Sequence, residues 1–159
     1  MTTMYWEVKG VQEQGLRAGT ENVAAIVGFG KAAELAKAEL AQRSAQLLAL
    51  RKLLEEGLSA LPSLSIFARQ ADRLPNTVQF GIPNIDGEML LMKLDQKGVA
   101  VSSGSSCASG GAAPSPVLMA MGVEAGLAKS AIRISLGLTN TEAEILEFIN
   151  LLKVLVYQA

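Results

Sequence analysis

The sequence predicts an α/β domain of the α+β two-layer kind, in which a small mixed sheet packs against long helices. Three observations predict this class. A long stretch carries leucines at steps of three and four, a spacing typical of an amphipathic helix. Several short runs are rich in β-branched and aromatic residues, as strands are. The two kinds of segment alternate along 159 residues, which is enough chain for one domain with its own core.

The N-terminal part is predicted to lead into the longest helix. Residues 1–19 are punctuated by glycine and have the period of neither a helix nor a strand, which indicates a loop or a short strand. Thr20 is predicted to cap a helix that runs from Glu21 to about Leu61. Because one helix of that length would extend about 60 Å, a break is expected near residues 38–43.

The remaining elements follow from local signals. Asp86 is predicted to cap the next helix and Gly98 to end it in the left-handed conformation. Thr141 is predicted to cap a last amphipathic helix that runs to about Tyr157. Strands are predicted at 63–68, 76–82, 99–102 and 131–137, and a short helix is predicted to open at 114–116 and to run through Met121.

The absence of histidine excludes several kinds of active site. The chain has no histidine and a single cysteine, so neither a Ser–His or Cys–His catalytic pair nor a zinc site of Cys and His ligands can form from it alone. One cysteine cannot form an internal disulfide, and a reducing cytoplasm is therefore the expected location.

Charge and hydropathy limit the partners. The net charge is −1 and the basic residues are scattered, which argues against nucleic-acid binding. The apolar runs are shorter than a membrane span, so a soluble protein with no membrane segment is expected. Hydrophobic residues are 50% of the chain and charged residues 18%, against a usual charged share of about 25%. This composition indicates either apolar surface that meets a partner or an alanine-rich helical domain.

Cys107 lies in "SSGSSCASGG", residues 102–111. Its serine and glycine neighbours offer no periodic apolar pattern, so we expect an exposed loop thiol with the access that a reactive thiolate requires. A structural cysteine and an incidental loop thiol are the alternatives. The loop contains no basic residue and no Gly-x-Ser-x-Gly sequence, which excludes a phosphate-binding P-loop and a nucleophile elbow.

Two further places carry candidate binding residues. Gly19 and Thr20 stand at the predicted helix start, where free N–H groups and the helix dipole favour an anion such as phosphate; an ordinary N-cap is the alternative. Arg133 stands between Ile132 and Ile134 in "AIRISLG". Its guanidinium is suited to holding a carboxylate in two parallel hydrogen bonds, and a solvated surface arginine is the alternative.

Five stretches, taken together, resemble a known family. Their order and spacing are similar to the C-terminal part of the pyridoxal-phosphate (PLP)-dependent cysteine desulfurases of the class V aminotransferase family. The resemblance covers residues 12 to about 150 and implies the small C-terminal domain of a fold-type I PLP enzyme. The stretches are "QEQGLRAGTEN", "RLPNTVQF", "DGEMLLMKLDQKGVAVSSGSSCASG", "PSPVLMAMG" and "AIRISLGLTNTEAEI".

The resemblance implies a role for each candidate residue. Cys107 matches the nucleophile that accepts sulfur when L-cysteine is converted to L-alanine and an enzyme persulfide, the sulfur supply for iron–sulfur cluster assembly. Arg133 matches the arginine that binds the substrate carboxylate. Thr20, next to Gly19, matches the threonine that reaches the PLP phosphate of the neighbouring subunit. The implied partners are a second subunit in a homodimer or larger assembly, L-cysteine, and an iron–sulfur scaffold or other sulfur-acceptor protein.

One feature of the family has no counterpart in this sequence. The family's PLP lysine lies upstream of the stretch that resembles "GLRAGT", and no lysine of this chain stands in such a motif. We therefore expect residues 1–19 to be a junction to a missing large domain and 20–159 to be the small domain of a truncated desulfurase. Such a chain alone is expected to be inactive and to bind no PLP covalently. The alternative is a sulfur-relay or dimerisation module without PLP chemistry of its own.

Overall fold

The computed structural model describes residues 10–104 and 113–157. It divides into two compact units with their boundary between Leu40 and Ala41. The fold class predicted from the sequence is confirmed, because a small four-stranded sheet is combined with long helices.

After a 3-10 turn at Gln12–Gly15, the order of the described elements is α1-β1-β2-α2-β3-α3-α4-β4-α5. The helices are α1 (Val23–Ser59), α2 (Gly87–Asp95), α3 (Pro116–Ala120), α4 (Ala125–Lys129) and α5 (Glu142–Tyr157). The strands are β1 (Ser65–Ile66), β2 (Thr77–Gly81), β3 (Ser102–Ser103) and β4 (Ile132–Ser135).

The sheet has the strand order β1-β2-β4-β3. All pairings among the described strands are antiparallel, so the sheet is not mixed as the sequence analysis expected. The reason is the position of β4. It lies between β2 and β3 and runs antiparallel to both, and β1 runs antiparallel to β2, so strands that share a direction are never neighbours.

The main core forms between one face of the sheet and three helices. Side chains alternate across a strand, and β4 shows this with Ile132 and Ile134 buried and Arg133 and Ser135 exposed. The buried face packs against apolar side chains of α1, α2 and α5. The core includes Leu50, Leu54, Leu58, Val78, Phe80, Leu90, Leu94, Ile132, Ile134, Ile145, Phe148 and Leu152.

Helix α1 differs from its prediction at two places. It begins at Val23 rather than Glu21, and the side-chain oxygen of Asn22 accepts the Ala25 N–H at 3.1 Å. Asn22 therefore caps the helix and Thr20 does not. The helix also runs to Ser59 without the expected break, because residues 38–43 contain neither proline nor glycine to interrupt it.

Other boundaries are confirmed or corrected in the same way. Asp86 accepts the Met89 N–H and caps α2 as predicted, and Gly98 has the left-handed φ of +78°. The predicted position of the third strand, 99–102, is wrong by several residues, since only Ser102 of that range belongs to β3. Helix α4 was not predicted, because its five residues are too few to show a helical period.

The start of α5 makes a pH-dependent contribution to stability. Thr141 and Glu144 form a reciprocal capping box, in which the Thr141 N–H donates to the Glu144 carboxylate at 2.8 Å and the Glu144 N–H donates to Thr141 Oγ1 at 3.3 Å. The Thr141 N–H, followed by the Asn140 side chain, lowers the pKa of Glu144 in the folded chain. The lowered pKa means that folding favours the ionised carboxylate.

Glu144→Gln is therefore expected to lower stability near neutral pH and to matter less in acid. The difference in the free energy of unfolding between the variant and wild type should be fully present above the ordinary glutamate pKa of about 4.3. It should disappear as the pH falls through the lowered pKa of Glu144. Urea unfolding of both proteins at several pH values measures this difference. Glu147→Gln is the matched control, because Glu147 is exposed on the same helix and makes no recorded cap bond among the described residues. Equal pH dependence of the two variants would contradict the prediction.

Candidate functional site

Arg133 lies on β4, one of the two inner strands of the sheet, and faces away from the core. Its neighbours Ile132 and Ile134 point into the core, and the period of two in "AIRIS" puts Arg133 on the opposite face. The Arg133 side chain is exposed, with no hydrogen bond or ion pair to other described residues. Its guanidinium is therefore available to a ligand on this side of the sheet, which we call the outer face.

The strand register places two polar residues beside Arg133. Gln79 of β2 is its Cα partner on one side and Ser102 of β3 is its partner on the other. Directly opposite residues have Cβ atoms about 4.5–5.5 Å apart and point to the same face. A row of Gln79, Arg133 and Ser102 therefore crosses the outer face. The sequence analysis missed Gln79 and Ser102, because no local signal shows which strands are neighbours.

A second apolar cluster borders this row. It consists of Phe67, Leu118, Ala128 and Ala131, all buried. Beside it a cavity of about 260 Å³ opens next to Gln79, with Arg73, Leu74, Thr77 and Met121 among its other lining residues. The outer face is thus partly covered by α3 and open at Arg133.

Cys107 lies outside the described residues, in what we call the Cys107 segment, residues 105–112. The last described residue before it is held close to β4, since the Gly104 N–H donates to the Ala131 carbonyl at 2.8 Å. A Cβ at Gly104 would lie 2.6 Å from the Ala131 Cβ, so glycine permits this approach. After the segment, Ser115 caps α3, and Leu118 of that helix packs in the cluster that contains Ala131. The described residue that precedes the segment, Gly104, therefore lies beside Ala131, just before β4.

Gly19 and Thr20 lie in the other compact unit. Gly19 has a left-handed φ of +97°, and its N–H donates to the Gln12 side chain at 3.4 Å. Thr20 is exposed and precedes the helix cap. The predicted role of Thr20 as helix cap is thus wrong, because the cap is Asn22, and the anion site predicted at Gly19 and Thr20 stays a prediction.

Arg17 adds a positive charge to this stretch that the sequence analysis did not single out. Its guanidinium donates to the carbonyls of Ala18 and Gly19 at 3.4 and 3.3 Å, and its side chain is half exposed. A phosphate needs hydrogen-bond donors and positive charge. The Thr20 hydroxyl and the Arg17 guanidinium can supply both. Arg17 also lies 3.8 Å from the exposed Glu13 carboxylate, a surface ion pair that a phosphate can replace, so the residues present fit the phosphate of PLP.

Two other kinds of site receive no support from the described part of the chain. It contains no group of three or more His, Cys, Asp or Glu side chains that could hold a metal ion. None of its helices combines the length and the apolar character needed to cross a membrane.

The comparisons with known proteins agree on one family. The model of the aminotransferase class-V family matches residues 3–148. The cysteine desulfurase IscS of Anaeromyxobacter sp. (strain Fw109-5) is 47% identical over 137 residues, which are 86% of this chain and 33% of that protein. The cysteine desulfurase IscS of Methanosarcina thermophila is 44% identical over 136 residues, 86% of this chain and 34% of that protein. The chain spans about a third of the length of these curated relatives.

A solved structure has the same fold. The NifS-like protein from Rickettsia africae ESF-5 superposes with a TM-score of 0.82 at 38% sequence identity, over 96% of this chain and 39% of that one. The resemblance stated from the sequence motifs is thus confirmed at the level of family and fold. Since the family model matches most of its residues, the chain belongs to the aminotransferase class-V family.

Proposed function

We propose that this chain is the part of a cysteine desulfurase that carries the sulfur-accepting thiol, Cys107. The reaction would convert L-cysteine to L-alanine and leave a persulfide on Cys107. One observation carries the proposal beyond the family resemblance. Arg133 is an exposed cation on the outer face, and Gly104, the last described residue before the Cys107 segment, is hydrogen-bonded to Ala131 at the start of the same strand.

Arg133 is proposed to bind the carboxylate of the substrate. A guanidinium presents a planar fork of donors that matches a carboxylate in two parallel hydrogen bonds. Among residues 10–104 and 113–157, no acidic side chain of the strands competes for it on the outer face, since the outward residues of β2, β3 and β4 near it are neutral. They are Thr77, Gln79, Ser102 and Ser135.

Chain length supports the proposal that the thiol acts at this site. Cys107 follows Gly104 by three residues, which extend at most roughly 11 Å. Gly104 is hydrogen-bonded to Ala131, and Ala131 is two residues before Arg133 on the same strand. The length of the chain between Gly104 and Cys107 is thus compatible with sulfur transfer from a substrate held at Arg133 by its carboxylate.

The sulfur transfer is balanced without an added oxidant. The Cys107 thiolate attacks the substrate sulfur, so a sulfur–sulfur bond forms and the bond from the substrate Cβ to sulfur breaks. The electron pair of the broken bond stays with the carbon, which takes up a proton and becomes the methyl group of L-alanine. PLP supplies the electron sink for this chemistry when it is bound in the intact enzyme. Thr20 and Arg17 are the residues of this chain that would hold its phosphate.

The proposed partners follow from the same family. They are L-cysteine as substrate, a second subunit in a homodimer or larger assembly, and an iron–sulfur scaffold or other protein that takes the sulfur onward in the cytoplasm. The PLP phosphate contacted by Thr20 would belong to the neighbouring subunit.

A dimerisation module is the second candidate function, and a surface of α1 favours it. Val23, Ile26, Val27 and Phe29 are each more than half exposed, although large apolar side chains in a helix are normally covered. A module that served only to pair subunits would use this surface and would leave Cys107 unloaded.

The proposal is tested by loading sulfur onto Cys107. The chain is incubated with L-cysteine and a full-length cysteine desulfurase, digested, and the peptide spanning residues 98–129 is weighed by mass spectrometry. We expect this peptide to gain the mass of one sulfur atom, which dithiothreitol should remove. Iodoacetamide should block the gain, because it alkylates an accessible thiol.

Cys107→Ser is the matched control, because Cys107 is the only cysteine and the variant should gain nothing. If the native chain stays unmodified by both reagents and reacts only after denaturation, the thiol is buried and the sulfur-acceptor function is contradicted. An accessible thiol that gains no sulfur would instead favour the dimerisation module.

A further inference from the structure

We propose that Gln79 and Ser102 complete the carboxylate site of Arg133, each donating a hydrogen bond to the carboxylate that the guanidinium holds. This inference rests on the function proposed above for Arg133. It assigns two positioning and specificity residues from neighbouring strands that no sequence motif had indicated.

The β2 side of the row has the closer of the two pairings. The Leu136 N–H donates to the Asn76 carbonyl at 2.8 Å, which makes that pair a hydrogen-bonded one in the antiparallel ladder. The two kinds of pair alternate along a ladder, so Arg133 and Gln79 form a non-hydrogen-bonded pair. Opposite residues of such pairs have Cα atoms only about 4.5 Å apart, and their side chains are therefore close neighbours.

The β3 side has the wider pairing. The Gly104 N–H donates to the Ala131 carbonyl, so Ala131 and Gly104 form a hydrogen-bonded pair. Two residues along, Arg133 and Ser102 form the next hydrogen-bonded pair, with a Cα separation of about 5.5 Å. The long side chain of Gln79 thus flanks Arg133 on the nearer strand, β2, and the short side chain of Ser102 flanks it on the farther strand, β3.

The chemistry of the three groups is complementary to one carboxylate. A carboxylate offers about four lone-pair positions, and a guanidinium in parallel fork geometry uses two of them. The Gln79 amide N–H₂ and the Ser102 hydroxyl are neutral donors that can use the others. Neither side chain has a recorded hydrogen-bond partner within residues 10–104 and 113–157. No described residue therefore engages either donor, and both can turn to a ligand.

Neutral donors on both sides also give selectivity. The row carries a single positive charge. Arg73, which lines the cavity next to Gln79, lies 2.7 Å from the Glu55 carboxylate and so adds no unpaired positive charge. The row therefore fits a monocarboxylate such as the α-carboxylate of a small amino acid. A dicarboxylate would bring a second negative charge that the row does not balance.

The experiment is an NMR titration of the 159-residue chain with L-alanine, which has the carboxylate of the proposed substrate but no thiol. In wild type we expect saturable shifts at the Arg133 side-chain Nε–H and at the backbone amides of Gln79 and Ser102. Alaninamide, which lacks the carboxylate, should produce no such shifts. The dissociation constant from this titration is the quantity compared among variants.

The variants test each donor separately. Gln79→Leu removes the amide and should weaken L-alanine binding by about fivefold to tenfold. Gln79→Glu keeps the size but adds a negative charge, so it should weaken binding further. Gln79→Asn keeps the amide and should retain part of the affinity, and Ser102→Ala should weaken binding by about threefold. Thr77→Val is the matched control, two register pairs away on the same face, and should bind as wild type does.

The outcomes separate this inference from the proposed function. If wild type shows no saturable shift at Arg133, both the carboxylate role of Arg133 and the present inference are overturned. If Arg133→Lys loses binding while Gln79→Leu and Ser102→Ala bind like wild type, only the present inference is overturned. A well-dispersed amide spectrum of each variant establishes that it is folded, and Gln79→Glu, with its unchanged size, provides a second test if the leucine variant does not fold.

Discussion

Phe80→Ala is expected to lower the free energy of unfolding by about 3–5 kcal/mol, the cost of removing a fully buried phenyl ring and leaving a cavity. Phe80 is completely buried on β2. It pairs with Ile66 of β1 and Ile132 of β4, and belongs to the cluster that contains Leu54 and Leu94. Rigid strands on both sides and helices above limit collapse around the missing ring, so the cost should be in the upper part of the range for large-to-small substitutions.

Phe29→Ala provides the matched control, because the Phe29 side chain is 78% exposed. Phe29→Ala should change the free energy of unfolding by no more than about 0.5 kcal/mol. Urea unfolding of dilute protein, followed by circular dichroism, measures both variants. A change of less than about 1 kcal/mol for Phe80→Ala would show that the ring is not packed as described.

Glu55→Ala is expected to produce the second large effect, a loss of about 2–4 kcal/mol, because it leaves two nearly buried guanidinium groups without their counter-charge. The Glu55 carboxylate lies 2.7 Å from Arg73 Nη2 and 3.6 Å from Arg51 Nε. All three side chains are at most 15% exposed, so water compensates little. Arg51 also donates to the carbonyls of Arg73 and Leu74, which connects α1 to the stretch before β2.

Glu34→Ala is the control for this prediction. Glu34 pairs with Lys31 at 2.9 Å, but both side chains are at least 60% exposed, and exposed pairs contribute about 0–1 kcal/mol. Thermal unfolding of the two variants in low and in high salt distinguishes the buried cluster of Glu55 from the exposed pair of Glu34 and Lys31. The large effect should persist in salt, because buried charges are screened less than surface charges. A loss for Glu55→Ala no greater than that for Glu34→Ala would be inconsistent with a buried cluster.

Local signals predicted several elements well. The start of α5 depends on Thr141 and Glu144, three residues apart, and the start of α2 depends on Asp86 and the N–H of Met89. Capping is an interaction within one turn, so the residues that decide it are adjacent in the sequence. The family could be recognised for a related reason, since its motifs are short and keep their order.

Other features could not be predicted, because they depend on contacts between distant parts of the chain. Thr20 was predicted to cap α1, and only the backbone path shows that Asn22 does so. The extent of β3 depends on where it meets β4. The cluster of Glu55 and Arg73 joins a helix to a loop, and no periodicity indicates such a pair. The roles of Cys107, Thr20 and Arg133 stay predictions.

The candidate site shows where sequence and tertiary structure each decide. The sequence by itself determined that Arg133 faces away from the core, because a strand has a period of two and Ile132 and Ile134 occupy its buried face. Only the tertiary structure decided that Gln79 and Ser102 lie on either side of Arg133. Strand order and register arise from the packing of the whole sheet against its helices, and a shift by one residue would turn these side chains to the opposite face.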